Sequence, residues 1–133
     1  MEIRTDYSDI KFQDNGKLKL LIIVGTRPDC VSSEILDYLE DLSHRYYVAV
    51  EYGIESVYDA TLKRVNRGHD FRCAADAVAR TKARGLDVGA HFILGLPGES
   101  EADIMRGIGD INQLGLDFVK FHQLQIYRGT AME

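Results

Sequence analysis

The sequence predicts an α/β fold with about four parallel strands and covering helices. Short runs of apolar and β-branched residues recur four times, at residues 18–24, 46–53, 87–94 and 117–124. A stretch with apolar residues at helical spacing separates each run from the next. Strands that alternate with helices pair in parallel through right-handed crossovers. The sheet therefore belongs either to a doubly wound fold or to part of a β/α barrel, and both bind ligands at the carboxyl edge of their strands.

The composition is that of one globular domain. The chain has 133 residues, of which 45% are hydrophobic and 28% are charged, enough to bury a single core. Its formal net charge of -5 gives no general attraction to nucleic acid or to anionic lipid. The apolar runs are shorter than a membrane span and the first residues lack an apolar leader, so we expect a cytoplasmic protein. We expect residues 1–17 to be a flexible or edge-covering lead-in and residues 18–133 to form the domain.

Capping residues mark the helices in the first half of the domain. After the first strand, Ser32 precedes apolar residues at helical spacing, which predicts a helix reaching Leu42. After the second strand, Ser56 and Asp59 stand three residues apart, a spacing typical of a capping box. We expect the helix that they open to end at Gly68.

The second half shows the same signals. Asp70 is placed to cap a helix that runs to residue 84, where Gly85 supplies a left-handed terminus. The third strand is followed by Ser100 and Asp103, a second capping-box pattern, and by a helix that we expect Gly115 to end.

Ionisable residues interrupt one face of three predicted strands. Side chains alternate along a strand, so Glu51 shares a face with Ala49, while Lys120 and His122 lie together on the fourth strand and His91 lies on the third. Each could be a satisfied edge residue that reaches water or a neighbouring polar group. If the faces converge, these residues instead form a polar pocket inside the scaffold.

The segment Gly95–Gly98, with sequence GLPG, follows the third strand. It is neither a P-loop nor a dinucleotide-binding G-x-G-x-x-G motif, which removes the case for a nucleoside triphosphate or NAD. It is either a tight turn before a capped helix or a surface whose missing side chains let a flat ligand lie against the backbone.

Taken together, four stretches resemble the radical S-adenosylmethionine (SAM) enzymes. They are TRPD (26–29), VEYGIES (50–56), LKRVNRGH (62–69) and HFILGLPGES (91–100). Their order and spacing are most similar to the branch that includes oxygen-independent coproporphyrinogen oxidases, elongator-type tRNA-modifying proteins and YhcC-like proteins. The resemblance covers roughly residues 18–131. It implies a partial six-stranded β/α barrel, of which the four strands here correspond to the third through sixth.

The resemblance also implies a cofactor site. Glu51 and Ser56 match the region that faces the ribose and methionyl part of SAM, and Glu55 stands where relatives often have Gln. Arg67 matches an arginine that meets the methionine carboxylate, and His91 matches a position near the ribose. The third strand and its turn resemble the motif that lies along the adenine, here Ile93, Gly95, Leu96, Pro97 and Gly98.

A cluster-binding loop is absent from the sequence. The family holds a [4Fe-4S] cluster with a Cys-x3-Cys-x2-Cys loop, whereas this chain has two distant cysteines, Cys30 and Cys73, which we expect to be free thiols. In complete family members, SAM is cleaved reductively to a 5′-deoxyadenosyl radical that takes hydrogen from a substrate. We therefore expect a fragment of a radical SAM Fe-S oxidoreductase that carries much of the cofactor floor but is inactive alone.

Two other functions are compatible with the residues. Four barrel strands cannot close, so open sheet edges favour a non-catalytic binding or assembly module that forms a homo-oligomer. A metal-dependent hydrolase using His69, His91 and His122 with Glu51 is the third hypothesis, although the sequence lacks the H-x-H and H-E-x-x-H spacings of such enzymes.

Overall fold

Four parallel strands form the centre of the computed structural model, which describes residues 13–14, 17–18 and 20–132. Two short strands, β1 (Gln13–Asp14) and β2 (Lys17–Leu18), pair antiparallel ahead of the main sheet. The main sheet has the order β3-β4-β5-β6 with every neighbour parallel. Its strands are β3 (Leu21–Thr26), β4 (Tyr47–Glu55), β5 (Asp87–Leu94) and β6 (Phe118–Gln123). The predicted α/β fold is confirmed, while most of the lead-in at 1–17 lies outside the described residues.

Four helices connect the strands. They are α1 (Ser33–Ser43), α2 (Asp59–Arg64), α3 (Phe71–Lys82) and α4 (Glu101–Gln113), and a 3-10 turn covers Pro28–Cys30. Among the described residues, every helix is too short or too polar to cross a membrane.

The core lies between the sheet and the helices α1 and α3. Alternate residues of β4 and β5 point to this side, which we call the helix face, and their side chains are fully or almost fully buried. The hydroxyl of Tyr52 is satisfied within the core by the hydroxyl of Thr81 at 2.8 Å. The packed residues include Val48, Val50, Ile54, Val88 and Ala90 of the strands, with Leu36, Leu39, Ala74, Ala77 and Val78 of the helices.

Most helix caps form as predicted. The side chains of Ser32 and Asp70 accept the backbone N–H three residues on, at 3.3 and 2.7 Å. Ser100 and Asp103 form a complete capping box, with reciprocal bonds of 3.2 and 2.8 Å. Gly85 adopts a φ of 69°, the left-handed conformation expected after α3.

The predicted capping box at Ser56 and Asp59 is wrong. Strand β4 continues to Glu55, so the N-cap of α2 is Tyr58, which has no side-chain capping bond. Ser56 Oγ accepts the Tyr58 N–H at 3.0 Å. Asp59 instead accepts the N–H of Phe71 at 2.8 Å, which ties the start of α2 to the start of α3.

The predicted end of that helix at Gly68 is also wrong. Helix α2 ends at Arg64, and Asn66 supplies the left-handed residue, with a φ of 57°. Asparagine tolerates this conformation better than most residues that carry a Cβ. The helix is therefore a short one of six residues, followed by a turn.

The opposite side of the sheet, which we call the inner face, carries glycines in three strands. Gly25, Gly53 and Gly89 lie there, at the same alternation as Glu51. A Cβ on Gly89 would lie 1.8 Å from the ring of Phe118, its partner on β6, so the ring packs directly on the glycine backbone. A Cβ on Gly25 would meet nothing within 4 Å.

This difference gives a matched pair of variants. Gly89→Ala is expected to lower the free energy of unfolding by about 2 kcal/mol, because the methyl group overlaps the Phe118 ring and forces the strands to shift. Gly25→Ala adds the same methyl group in open space and should change stability by less than about 0.5 kcal/mol. Urea unfolding followed by circular dichroism measures both, and an equal loss in the two variants would contradict the packing described.

Candidate functional site

The inner face brings together ionisable residues from three strands. The parallel register aligns Gly53 of β4 with His91 of β5 and Lys120 of β6. Glu51 lies one inward-facing position earlier on β4 and reaches into this row. One of its oxygens accepts from Lys120 Nζ at 2.7 Å and the other from His91 Nε2 at 2.8 Å.

His122 extends this contact to a fourth residue. Its Nε2 lies 3.3 Å from His91 Nδ1, and the two ring centroids are 5.1 Å apart. Because a carboxylate can only accept, the bond to Glu51 requires an N–H on His91 Nε2. Lys120, Glu51, His91 and His122 therefore form one hydrogen-bonded series, which we call the polar chain.

The polar chain compensates a buried carboxylate. The Glu51 side chain is only 8% exposed, whereas Lys120 and His91 are about one-third exposed. Removing a carboxylate from water is costly unless cations and donors surround it. Of the two alternatives that the sequence left open, the structure shows the converging one, and Glu51 is not an edge residue that reaches water by itself.

A second pair lies beside the polar chain. Arg67 Nη2 donates to the carbonyl of Gly53 at 2.8 Å and lies 3.4 Å from Glu55 Oε1. A Cβ on Gly53 would come within 2.8 Å of that Glu55 oxygen, so the glycine leaves room for the pair. Arg67 Nε is buried and has no hydrogen-bond partner among the described residues.

The loops after β3 and α2 meet next to this pair. Arg27 forms a two-bond ion pair with Asp29, with Nε to Oδ1 at 3.0 Å, and its hydrogen bond lowers the pKa of the Asp29 carboxyl. His69 Nε2 lies 3.4 Å from the carbonyl of Ile54, and its Nδ1 lies 3.7 Å from Asp29. Burial is the main cause that lowers the pKa of His69. The sequence marked TRPD as a motif, but it assigned no role to Arg27 or Asp29.

The GLPG turn crosses the carboxyl edge of β5. Gly95 and Gly98 have φ values of 88° and 92°, which only glycine adopts without strain. Leu96 is 3% exposed and anchors the turn. The hydroxyl of Ser56 donates to Glu99, which joins this loop to the end of β4.

The predicted site residues thus fall into three adjacent groups. Glu51 and His91 touch each other, Glu55 touches Arg67, and Ser56 contacts the loop that follows Gly98. A cleft of about 240 Å³ lies on the other side of the sheet from Glu51 and His91, between α4 and the carboxyl ends of β4, β5 and β6. Its largely apolar lining includes Glu55, Ser56, Ile93 and Glu99 together with Ile104 and Ile108 of α4.

The described residues contain no group of three or more His, Cys, Asp or Glu side chains that could hold a metal ion. His91 and His122 contact each other, but His69 faces Ile54 and Asp29 in a different loop. The described residues therefore do not support the metal-dependent hydrolase hypothesis. Cys30 and Cys73 are both free thiols, as predicted.

Comparisons with known proteins bear on the family and the fold of the chain. The family model described as the radical SAM superfamily matches residues 2–110. Protein YhcC of Escherichia coli strain K12 is 42% identical over 112 residues, which cover 84% of this chain and 36% of that protein. The chain spans about a third of the length of this protein and of two further curated relatives, YtqA of Bacillus subtilis and MJ0486 of Methanocaldococcus jannaschii.

Two solved structures share the fold. Elp3 from Methanocaldococcus infernus superposes with a TM-score of 0.72 at 28% identity, covering 84% of this chain and 26% of that one. Coproporphyrinogen III oxidase (HemN) from Escherichia coli, whose structure is described as that of a radical SAM enzyme, gives a TM-score of 0.68 at 16% identity, with 78% and 24% covered. The second likeness concerns the fold alone, and both support part of a β/α barrel.

The polar chain predicts a strong coupling between Lys120 and Glu51. Lys120→Met is expected to lower the free energy of unfolding by about 2–3 kcal/mol, because it leaves a buried carboxylate short of its cation. Adding Glu51→Gln to this variant removes the negative charge of the buried carboxylate, so the double variant should recover part of the lost free energy of unfolding. A double-mutant cycle by urea unfolding measures the coupling, and strictly additive effects would show that the two residues do not depend on each other.

Proposed function

Because the chain belongs to the radical SAM superfamily, we propose that the carboxyl edge and inner face of its sheet form the floor of a SAM site. The predicted residues Glu51, Glu55, Ser56, Arg67 and His91 lie at this edge, with the loop that contains Gly95 and Gly98. The complete enzyme is proposed to be an Fe-S oxidoreductase of this superfamily. This chain supplies one part of its cofactor site.

The unpartnered nitrogen of Arg67 is the observation that carries the proposal. A buried guanidinium N–H without an acceptor is costly. The Nη2 end of the same guanidinium lies beside Gly53, where a Cβ would come within 3.2 Å of it. A carboxylate is the acceptor that matches the planar fork of arginine. The methionine end of SAM offers a carboxylate and an ammonium group, and Glu55 is placed to attract the ammonium.

The polar chain suits a hydroxyl-bearing group. Glu51 accepts from Lys120 and from His91, which holds its carboxylate at the inner face, and a carboxylate is a strong acceptor for hydroxyl groups. His91 is 30% exposed, so it can be reached from the inner face. We assign these two residues to the ribose hydroxyls, and the turn from Ile93 to Gly98 to one face of the adenine.

Iron–sulfur ligation does not fit the described residues. Cys30 is exposed in a 3-10 turn, Cys73 lies on α3, and the chain has no other cysteine. In a complete member of the superfamily, such a cluster would supply the electron that cleaves SAM reductively. What the chain's own residues provide is binding, orientation and charge around the cofactor. We therefore propose that this chain alone binds the cofactor without turning it over.

SAM binding is expected to depend on Arg67. Arg67→Met should weaken SAM binding about tenfold, because it removes a charge-assisted pair of donors to the carboxylate. The SAM affinity of Arg67→Lys should lie between those of the wild type and of Arg67→Met, since an ammonium group keeps the charge but lacks the planar pair of donors. Arg72→Met, which removes an exposed arginine from α3, is the control and should bind as the wild type does. Isothermal titration and the thermal shift at saturating SAM measure these effects.

Two outcomes would contradict the proposal. Equal binding of SAM to the wild type and to the Arg67→Met variant would remove Arg67 from the site. A stoichiometric [4Fe-4S] cluster after reconstitution with iron and sulfide, detected by absorbance, would show that the chain can ligate the metal by itself.

A non-catalytic assembly module is the second candidate, and one observation favours it. Within the described part of the chain, β3 and β6 have one neighbouring strand each, so each has an edge that no described strand pairs with. The β3 sequence LIIVGT carries no charge and no proline, the usual protections of an exposed edge. Leu20 and Ile23, which are 62% and 38% exposed, lie at the same edge.

Self-association through β3 is expected to respond to a charge on that edge. Ile23→Lys should shift a dimer or larger assembly towards monomer, because a lysine on an edge strand opposes strand addition. Phe121→Lys, on the edge strand β6, is the matched control for the other side of the sheet. Light scattering over a range of concentrations measures the mass, and a wild-type monomer at every concentration would exclude this function.

A further inference from the structure

We propose that Arg64 is a positioning residue that holds the GLPG turn in the shape required for cofactor binding. Its role in the fold is independent of the ligand, whereas its role in binding rests on the proposed function. Arg64 was not among the residues that the sequence predicted for the site. It is the last residue of α2, and it belongs to the element after β4 rather than to β5.

A direct bond joins this residue to the turn. Arg64 Nη1 donates to the carbonyl oxygen of Pro97 at 2.7 Å, across 33 positions of sequence. A bond from a charged donor to a carbonyl is stronger than one between neutral groups. Because this carbonyl belongs to the Pro97–Gly98 peptide, the bond restrains the orientation of that peptide.

The shape of Gly98 supports the same role. A Cβ at this position would lie 1.5 Å from Arg64 Nη1 and 2.6 Å from its Cζ. The guanidinium therefore occupies the space that a side chain at 98 would need. Gly98 is required both for its φ of 92° and for the approach of Arg64.

Helix α2 is a firm base for this contact. Leu62 is fully buried and Thr61 is 4% exposed, so the helix is anchored although it is short. Two side chains that precede α2 in sequence contact the segment that follows the GLPG turn. The Ser56 hydroxyl contacts Glu99, and the Tyr58 hydroxyl donates to the carbonyl of Asp103 at 2.6 Å. Arg64 adds a bond at the near end, where the proposed adenine contact lies.

The Arg64 side chain itself is exposed. Its loss opens no cavity in the core, so global stability should change little while the turn becomes more mobile. Replacing a surface arginine that does not contact the turn would leave the mobility of the turn unchanged. The amide of Glu99, which donates to Leu96 at 3.2 Å across the turn, is a local reporter.

The experiment compares Arg64→Met with Arg64→Lys and Lys63→Met. Lys63 is a neighbouring exposed cation of α2, so its variant controls for lost charge. Arg64→Met is expected to speed solvent exchange of the Glu99 amide about five- to tenfold, measured by NMR, with the amides of β4 unchanged. Arg64→Lys should restore part of the protection, because it keeps one donor, and Lys63→Met should match the wild type.

SAM titration of the same variants provides the second measurement. Arg64→Met should weaken SAM binding about fivefold, with little change in the free energy of unfolding. Unchanged Glu99 exchange in Arg64→Met would overturn the positioning role. Faster exchange with unchanged SAM affinity would overturn the link between the turn and the cofactor. Faster exchange in a chain whose wild type binds no SAM would leave Arg64 as the holder of the turn and remove the proposed function instead.

Discussion

The carboxylate of Glu51 imposes the constraint on which the inner face depends. A side chain that is 8% exposed and ionised needs compensating donors, and a single strand cannot supply them. Lys120 comes from β6 and His91 from β5, so the charge is balanced only when three strands pair in one register. A slip of one residue would turn these side chains to the helix face and leave the carboxylate uncompensated.

The two faces of the sheet therefore differ in composition and in packing. The helix face is close-packed with aliphatic residues and supplies most of the burial that stabilises the fold. The inner face combines charged residues with glycines, and the glycines differ in their surroundings. Gly53 makes room for the pair of Glu55 and Arg67, Gly89 accepts the ring of Phe118, and Gly25 faces open space. The inner face is therefore less closely packed than the helix face and leaves polar groups partly exposed.

Local signals predicted the elements well where they were independent of tertiary contacts. The capping residues Ser32, Asp70 and Ser100 act on their own backbone within a few positions, and all three form the expected bonds. The signal at Ser56 had the same spacing, but it failed because pairing with β5 extends β4 to Glu55 and because Glu99 offers Ser56 another partner. Here the pairing of β4 with β5 outweighed the local capping preference of Ser56.

By itself, the sequence determined the order of strands and helices, the parallel sheet and the face on which each ionisable residue lies, because all of these follow from periodicities of two and of about 3.6 residues. Its motifs also identified the superfamily. Only the tertiary structure decided which partners those residues find. The bond from Arg64 to Pro97 and the contact of His122 with His91 each join residues about thirty positions apart. Such contacts depend on how crossovers place distant loops side by side, and no local pattern encodes that distance.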